Sequence, residues 1–334
     1  MNQTSFSDIV QIISQSSCIA IFWHDNPDGD AIGSMLGLGK LLENMEKKVF
    51  YFSYPVPSKS FHFLPNVDKI KSVFDYKKKY DLLIFVDFSP YDRCIFTAGH
   101  FDYFDDKPLI VIDHHYGDCP EHALVLKDVH ADSNCERIFE NTKTIRSHYY
   151  DRDVASYLYL WLSTDTGNFQ YDKQWSRSLH NAALLVDLGA NKQLISKKIF
   201  GTLRLQQLQF LSIIVPRFEH QDGIGYVWYS YDDFEQHWLD REEASWYVTT
   251  IISRIEWLRL AIILKVEEDS IRISLRSQDE KISACELAQM LWWGGHFYAA
   301  GAKIMRDPLV DVTDNWYYNK INAIISMIRH HIYS

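Results

Sequence analysis

Ser17-Cys18-Ile19-Ala20-Ile21-Phe22-Trp23-His24-Asp25-Asn26-Pro27-Asp28-Gly29-Asp30-Ala31-Ile32-Gly33-Ser34-Met35-Leu36 carries an apolar run, a polar turn and the start of a helical pattern. The run 17–23 is apolar at successive positions from Cys18 onward, as expected of a strand buried on both faces. Asn-Pro and Asp-Gly then impose a tight turn. Beyond it Ile32, Met35, Leu36, Leu41, Leu42 and Met45 share one helical face. Gly33, Gly37 and Gly39 fall where a sheet could approach closely. Strand, turn and helix in that order open a parallel α/β sheet.

Working outward, Val49 to Ser53, Leu82 to Val86 and Leu109 to Ile112 are further strand runs. Strands alternating with helices predict an α/β fold with a parallel sheet covered on both faces. Polar residues follow three of the runs: HDNPDGD after the first, Asp87 after the third and Asp113-His114-His115 after the fourth. Ligands of such sheets bind outside the carboxyl ends of the strands, so these clusters are expected to converge. A helical stretch, Val154 to Ser163, delivers a fourth cluster, Thr164-Asp165-Thr166-Gly167-Asn168-Phe169.

Residues 178–215 are expected to form consecutive helices, ended by Pro216 and the Gly223-x-Gly225 turn. Strand signals at Tyr226 to Tyr229, Leu260 to Val266 and Ile271 to Leu275 then surround helical segments at 242–255 and 284–291. Glu267-Glu268-Asp269-Ser270 reads as a hairpin turn, and a last helix covers Trp316 to Ile332. The expected organisation is an N-terminal parallel-sheet domain over 1–190, a helical linker over 191–215 and a smaller α/β domain over 216–334. A chain of 334 residues has room for both.

The net charge of −10 argues against sequence-independent binding of long nucleic acid, which leaves a basic footprint. It leaves a small anionic substrate open, since metal ions supply local positive charge. Aromatic residues make up 15% of the chain, enough for ligand stacking, although core packing accounts for most of them. Cys18, Cys94, Cys119, Cys135 and Cys285 show no C-x-x-C pair, which favours reduced thiols and a cytoplasmic setting. No signal peptide or membrane span is expected.

His24, Asp28 and Asp30 bring one imidazole and two carboxylates to a rigid strand end. Hard oxygen donors with a histidine suit Mn²⁺ or Mg²⁺, and the lack of thiolates argues against structural zinc. The plain alternative is a surface turn. Asp87 ends an otherwise apolar strand, where an ionised carboxylate is costly unless paired or metal-bound; its plain alternative is a helix cap. Paired histidines at a strand's carboxyl edge are harder to dismiss than one. Asp165 taken alone is best read as a cap. Arg276 could be a surface ion pair, or a planar fork that clamps phosphate.

HDNPDGDAIGS, VDFSPYDR, IDHH and STDTGNF, in that order, resemble the four motifs of the DHH phosphoesterase superfamily. Ser274-Leu275-Arg276-Ser277 and Gly294-Gly295-His296-Phe297-Tyr298-Ala299-Ala300-Gly301 resemble its associated C-terminal substrate-binding domain. Together these motifs span roughly residues 20–301. In size and order the match is to the subgroup that degrades very short RNAs (nanoRNA) and 3′-phosphoadenosine 5′-phosphate (pAp).

The resemblance implies two divalent metals, Mn²⁺ first and Mg²⁺ as the alternative. His24 and Asp28 would bind one, Asp30, His114 and Asp165 the other, and Asp87 would bridge them. His115 would act on the substrate as phosphate ligand or general acid. Ser274, Arg276, Gly294, Gly295 and His296 would hold the substrate's terminal phosphate. The family loop carries a glycine where this chain has Trp293, beside Trp292, and one of these could stack on a base. The implied activity is metal-dependent hydrolysis of nanoRNA or pAp. Alternatives are a cyclic-di-AMP or linear dinucleotide (pApA) phosphodiesterase, and a nucleotide-binding sensor that has lost catalysis. Expected partners are short RNA or a small nucleotide, with a homodimer allowed, and neither long nucleic acid nor membrane.

Overall fold

In a computed structural model, residues 6–334 are described apart from 24–28, 88–95, 98, 114–118, 128–137, 140, 143–146, 170–174, 236–240, 296, 308–310 and 312–314. For 29–30, 101, 147, 165, 175, 234–235, 241–244 and 246 the description is of backbone alone. The chain divides into two compact units, Met1–Thr202 and Leu203–Ser334, with the division inside the segment read as a helical linker.

The first unit opens with α1 (Phe6–Gln15), β1 (Cys18–Phe22), α2 (Gly29–Asn44) and β2 (Lys48–Phe52). It continues with β3 (Ile70–Lys71), β4 (Leu82–Val86), α3 (Phe101–Asp105), β5 (Leu109–Asp113) and β6 (Leu124–Lys127), then α4 (Arg152–Asp165) and α5 (Trp175–Asp187). Its six strands run in the order β3-β2-β1-β4-β5-β6, all pairs parallel. Every residue of β4 and β5 is buried, which is why these strands show as continuous apolar runs.

The two faces of this sheet are packed differently. Ile19, Ile21, Ile84, Val86, Ile110 and Ile112 join the aliphatic layer beneath α1, α2 and α4. Ala20, Phe22, Phe85 and Val111 lie in an aromatic layer with Phe52, Phe74, Phe96 and Phe104. Phe22 stacks on Phe85 at 4.9 Å and on Phe52 at 5.4 Å between ring centroids. Much of the aromatic content is therefore core.

The α2 glycines were expected to let a sheet approach. Gly39 does face the Tyr51 ring of β2, but Gly33 and Gly37 serve a helix contact instead. A Cβ on Gly33 would lie 2.5 Å from Trp161 Cβ, and one on Gly37 would lie 2.8 Å from Leu158 Cδ2. At the other end of α2, Asn44 Nδ2 donates to Tyr149 O and Asp151 Oδ2, at 2.8 and 2.9 Å. Asp151 itself caps α4, accepting from the Asp153 and Val154 N–H groups. Positions 33, 37 and 44 of α2 thus match 161, 158 and 151 of the α4 segment, so the two helices run antiparallel.

The second unit comprises α6 (Leu205–Ile214), β7 (Glu219–Gln221), β8 (Ile224–Ser230), α7 (Tyr231–Glu235), α8 (Arg241–Ile252), β9 (Leu260–Val266) and β10 (Ser270–Ser277). Then follow α9 (Ala284–Gln289), β11 (Gly294–Gly295), β12 (Ala299–Met305) and α10 (Trp316–Tyr333). Its sheet order is β11-β12-β10-β9-β8-β7, antiparallel except for β8 with β9, which α8 connects. Ile271, Ile273 and Leu275 of β10 pack with α9 and α10 on one face. On the other, Val227, Tyr229, Ala261 and Ile263 lie under Phe210, Ile214, Val248 and Ile252 of α6 and α8. Among the described residues no helix is long and apolar enough to cross a membrane.

Candidate active site

The strand order of the first unit places the chemistry. The chain moves outward from β1 through β2 to β3, then returns to the other side of β1 for β4, β5 and β6. The reversal lies between β1 and β4, and a crevice forms at the carboxyl ends of such neighbours. β1 ends at Phe22 at that edge, and Asp87 follows β4 there. Phe22 pairs with Phe85, and Val86 pairs with Ile112. The ends of β1, β4 and β5 are therefore adjacent and in register, each strand about 4.8 Å from the next.

Asp87 is 1% exposed and has φ 53°. Its N–H donates to Ile112 O at 2.9 Å, so β4 stays paired to β5 up to the point where it turns away. A left-handed aspartate costs roughly 1–2 kcal/mol, and such strain gathers at functional sites. Asp113, at the end of β5, is fully buried and ion-paired to Lys127 Nζ at 3.1 Å, its partner in register on β6. Lys127 is a residue the sequence reading missed. Its signal was a charge ending the otherwise apolar run Leu124-Val125-Leu126, and it answers one acidic group immediately before the two histidines.

Asp30 and Asp165 are placed by backbone. Asp30 lies in the first turn of α2, three residues before Gly33, and Asp165 ends α4, four residues after Trp161. Because Gly33 meets Trp161, the antiparallel pair brings Asp30 and Asp165 to the same end. An aspartate in a first turn is stabilised by the helix dipole. One in a last turn faces the dipole's negative end, so a capping role does not account for Asp165. The α4 helix then ends through left-handed Gly167, Asn168 and Phe169.

His24, Asp28, His114, His115 and His296 lie outside the described residues. Of the six expected metal ligands only Asp87 has a described side chain, and among the described residues no group of three His, Cys, Asp or Glu side chains could hold a metal.

In the second unit Ser274 pairs with Gly301, which pairs in turn with Gly294 of the edge strand β11. Ser274, Gly301 and Gly294 thus form one row across the sheet, with Arg276 two residues further along β10. Arg276 Nη1 donates to Leu275 O at 2.9 Å. Gly295, at φ 152°, must be glycine, since a Cβ there would sit 2.6 Å from Ala300 Cα. A Cβ on Gly294 would meet nothing within 4 Å. Just before this strand Trp292 is 92% exposed at φ 65°.

Residues 18–161 match the model of the DHH family, N-terminal domain. That match lies wholly within the first unit and takes in its β1, α2, β2, β4 and β5. Along most of its length the chain is similar to proteins called bifunctional oligoribonuclease and PAP phosphatase NrnA. The one from Bacillus subtilis (strain 168) is 27% identical over 308 residues, covering 89% of this chain and 93% of that protein. The one from Mycoplasma pneumoniae is 24% identical over 315 residues, covering 93% and 95%. The crystal structure of an exopolyphosphatase-related protein from Bacteroides fragilis superposes with a TM-score of 0.79 at 20% identity, over 98% of both chains, and so shares the fold.

Proposed function

We propose that this chain is a two-metal phosphoesterase that hydrolyses short oligoribonucleotides and 3′-phosphoadenosine 5′-phosphate. The observation that carries the reading is the convergence of β1, β4 and β5 at the strand-order reversal, each followed by acidic or imidazole groups. The names and near-complete coverage of the relatives supply the substrate class.

The donor set fits divalent metal. Asp87 buries a carboxylate at an apolar strand end, and Asp165 puts another at the unfavourable end of a helix. His24, Asp28, Asp30, Asp87, His114 and Asp165 would hold two ions, Mn²⁺ or Mg²⁺, with Asp87 shared between them. When bound, such a pair lowers the pKa of water and stabilises both oxygens of an in-line displacement. The protein's own part is positional. Paired strands fix Asp87, and the glycine contacts of α2 and α4 fix the spacing of Asp30 from Asp165. His115 would contact the phosphate or protonate the leaving oxygen. Ser274, Arg276, Gly294, Gly295 and His296 would hold a terminal phosphate, with the guanidinium giving bidentate contacts. The scattered cysteines suit a reducing cytoplasm.

The test is Mn²⁺-dependent hydrolysis of pAp, pApA, short RNA, long RNA and cyclic-di-AMP, with Asp87→Ala as control. Turnover of pAp and short RNA that the substitution abolishes is expected. Preference for pApA or cyclic-di-AMP would overturn the substrate assignment, and turnover by Asp87→Ala would overturn the site.

A further inference from the structure

One face of the second sheet is covered at β8 and β9 by α6 and α8, while its continuation over β10 and β12 is half-exposed. Alternation puts Arg272, Ser274 and Arg276 of β10 on that continuation, opposite Lys303, Gly301 and Ala299 of β12. Its middle is therefore a floor of small residues, Ser274, Gly301 and Gly294. Beyond the floor from Arg276, Arg272 and Lys303 stand directly opposite each other. Like charges at paired positions destabilise a sheet. Arg272 Nε is answered by Glu267 at 3.2 Å, but Glu267 also serves the buried Lys265 at 3.7 Å. Lys303 has no ion pair among the described residues. In a chain of net charge −10, this is a concentration of positive charge beside a smooth floor.

We infer that Lys303 and Arg272 bind the phosphodiester backbone of a short RNA whose terminal phosphate sits at Arg276, extending the substrate site across the Ser274–Gly301–Gly294 floor. The inference rests on the proposed function for its substrate class. Arg276 and Arg272 are four residues apart on an extended strand, about 14 Å. A nucleoside bisphosphate has only two phosphates, one held at Arg276 and one to be hydrolysed, so none is left for Lys303, whereas an oligonucleotide has more to offer. The pair therefore sets a preference for chain length, and the charge complementarity selects a polyanion.

The test is fluorescence anisotropy of a labelled pentanucleotide RNA on the full chain with Mn²⁺, in an Asp87→Asn background so that RNA is not consumed. Deleting one phosphate contact lowers the slope of log affinity against log salt by about 0.7 for a single strand, or about five-fold in affinity at 0.1 M salt. Lys303→Gln is expected to show that loss, to lose more for the pentanucleotide than for pAp, and to regain affinity as Lys303→Arg. Its thermal midpoint should equal or exceed that of the parent, because a like-charge pair is relieved. Lys77→Gln, an exposed lysine preceding β4, should bind as the parent does. Unchanged affinity and salt slope in Lys303→Gln would overturn the inference, as would failure of the parent to bind the pentanucleotide. Wild-type turnover of pAp and short RNA is measured alongside. Lys303-dependent binding without turnover would sink the proposed reaction alone. Turnover with Lys303-independent binding would sink this assignment alone.

Discussion

Replacing Gly33 by alanine asks whether the α2–α4 contact sets the spacing of the site. The added Cβ would lie 2.5 Å from Trp161 Cβ and 2.8 Å from the Tyr157 carbonyl oxygen. Carbon atoms settle at about 3.5–4 Å, so something must move by about 1 Å. Neither obstacle is a side-chain tip that can rotate away. Alanine gains up to about 1 kcal/mol of helix propensity over glycine, whereas overpacking costs about 1–3 kcal/mol. The expected net loss is about 1–2 kcal/mol, read from the urea midpoint at unchanged slope. Gly37→Ala is the internal comparison. Its nearest neighbour is Leu158 Cδ2, a flexible tip, so the propensity gain should nearly cancel the crowding. The functional consequence is larger than the stability change. Separating the helices moves Asp30 from Asp165, and misplacement by about 1 Å can lower turnover on the order of a hundred-fold. Mn²⁺-dependent hydrolysis of pAp at saturating metal is the assay. Gly33→Ala as stable as the parent would refute the packing argument. A destabilised Gly33→Ala with the turnover of Gly37→Ala would refute its link to the site.

Trp292 sits at φ 65°, a conformation glycine adopts freely and other residues at a cost of roughly 1–2 kcal/mol. Being almost fully exposed, it contributes little packing in return, so Trp292→Gly should raise the thermal midpoint, and a fall would contradict the strain. If its ring stacks on a base, the same variant should raise KM for a dinucleotide, stacking being worth about 1–3 kcal/mol per base. Burial pushes the Asp233 carboxyl up, but bonds from Arg217 and Ser230 outweigh it and leave the pKa below its ordinary value. Its stabilisation is therefore present above the unfolded value of about 3.9 and lost as pH falls through the folded one. Asp233→Asn should be less stable than the parent at neutral pH, with the gap closing below about pH 4. A gap that does not narrow at all in urea titrations as pH falls below about 4 would show that the ion pair is not its source.

The legible parts of the fold were those whose pattern is local. β1, β4 and β5 are buried on both faces and appear as unbroken apolar runs, so their alignment in one parallel sheet is predicted from the sequence. β6 was missed because it is short and half-buried at the sheet edge. β12, Ala299–Met305, was hidden by small residues of low strand propensity, and its first half was read as glycine loop. Lys127 and Lys303 owe their importance to register. The first meets Asp113, and the second meets Arg272, only once their strands are paired in register. The glycines of α2 were recognised as close-approach positions, but a helix and a strand offer the same invitation, and only packing shows which accepts it.

Both borders of the second sheet are stubs. β11 has two residues, both glycine, and β7 has three, all exposed and polar. A longer, flatter margin would offer a row of free amide and carbonyl groups for another molecule's strand to adopt, the first step toward runaway association. Two glycines give an incoming strand almost no register to copy, and Glu219-His220-Gln221 gives it nothing apolar to cover. The outermost strands of this sheet are therefore poor templates for pairing with further copies of the chain.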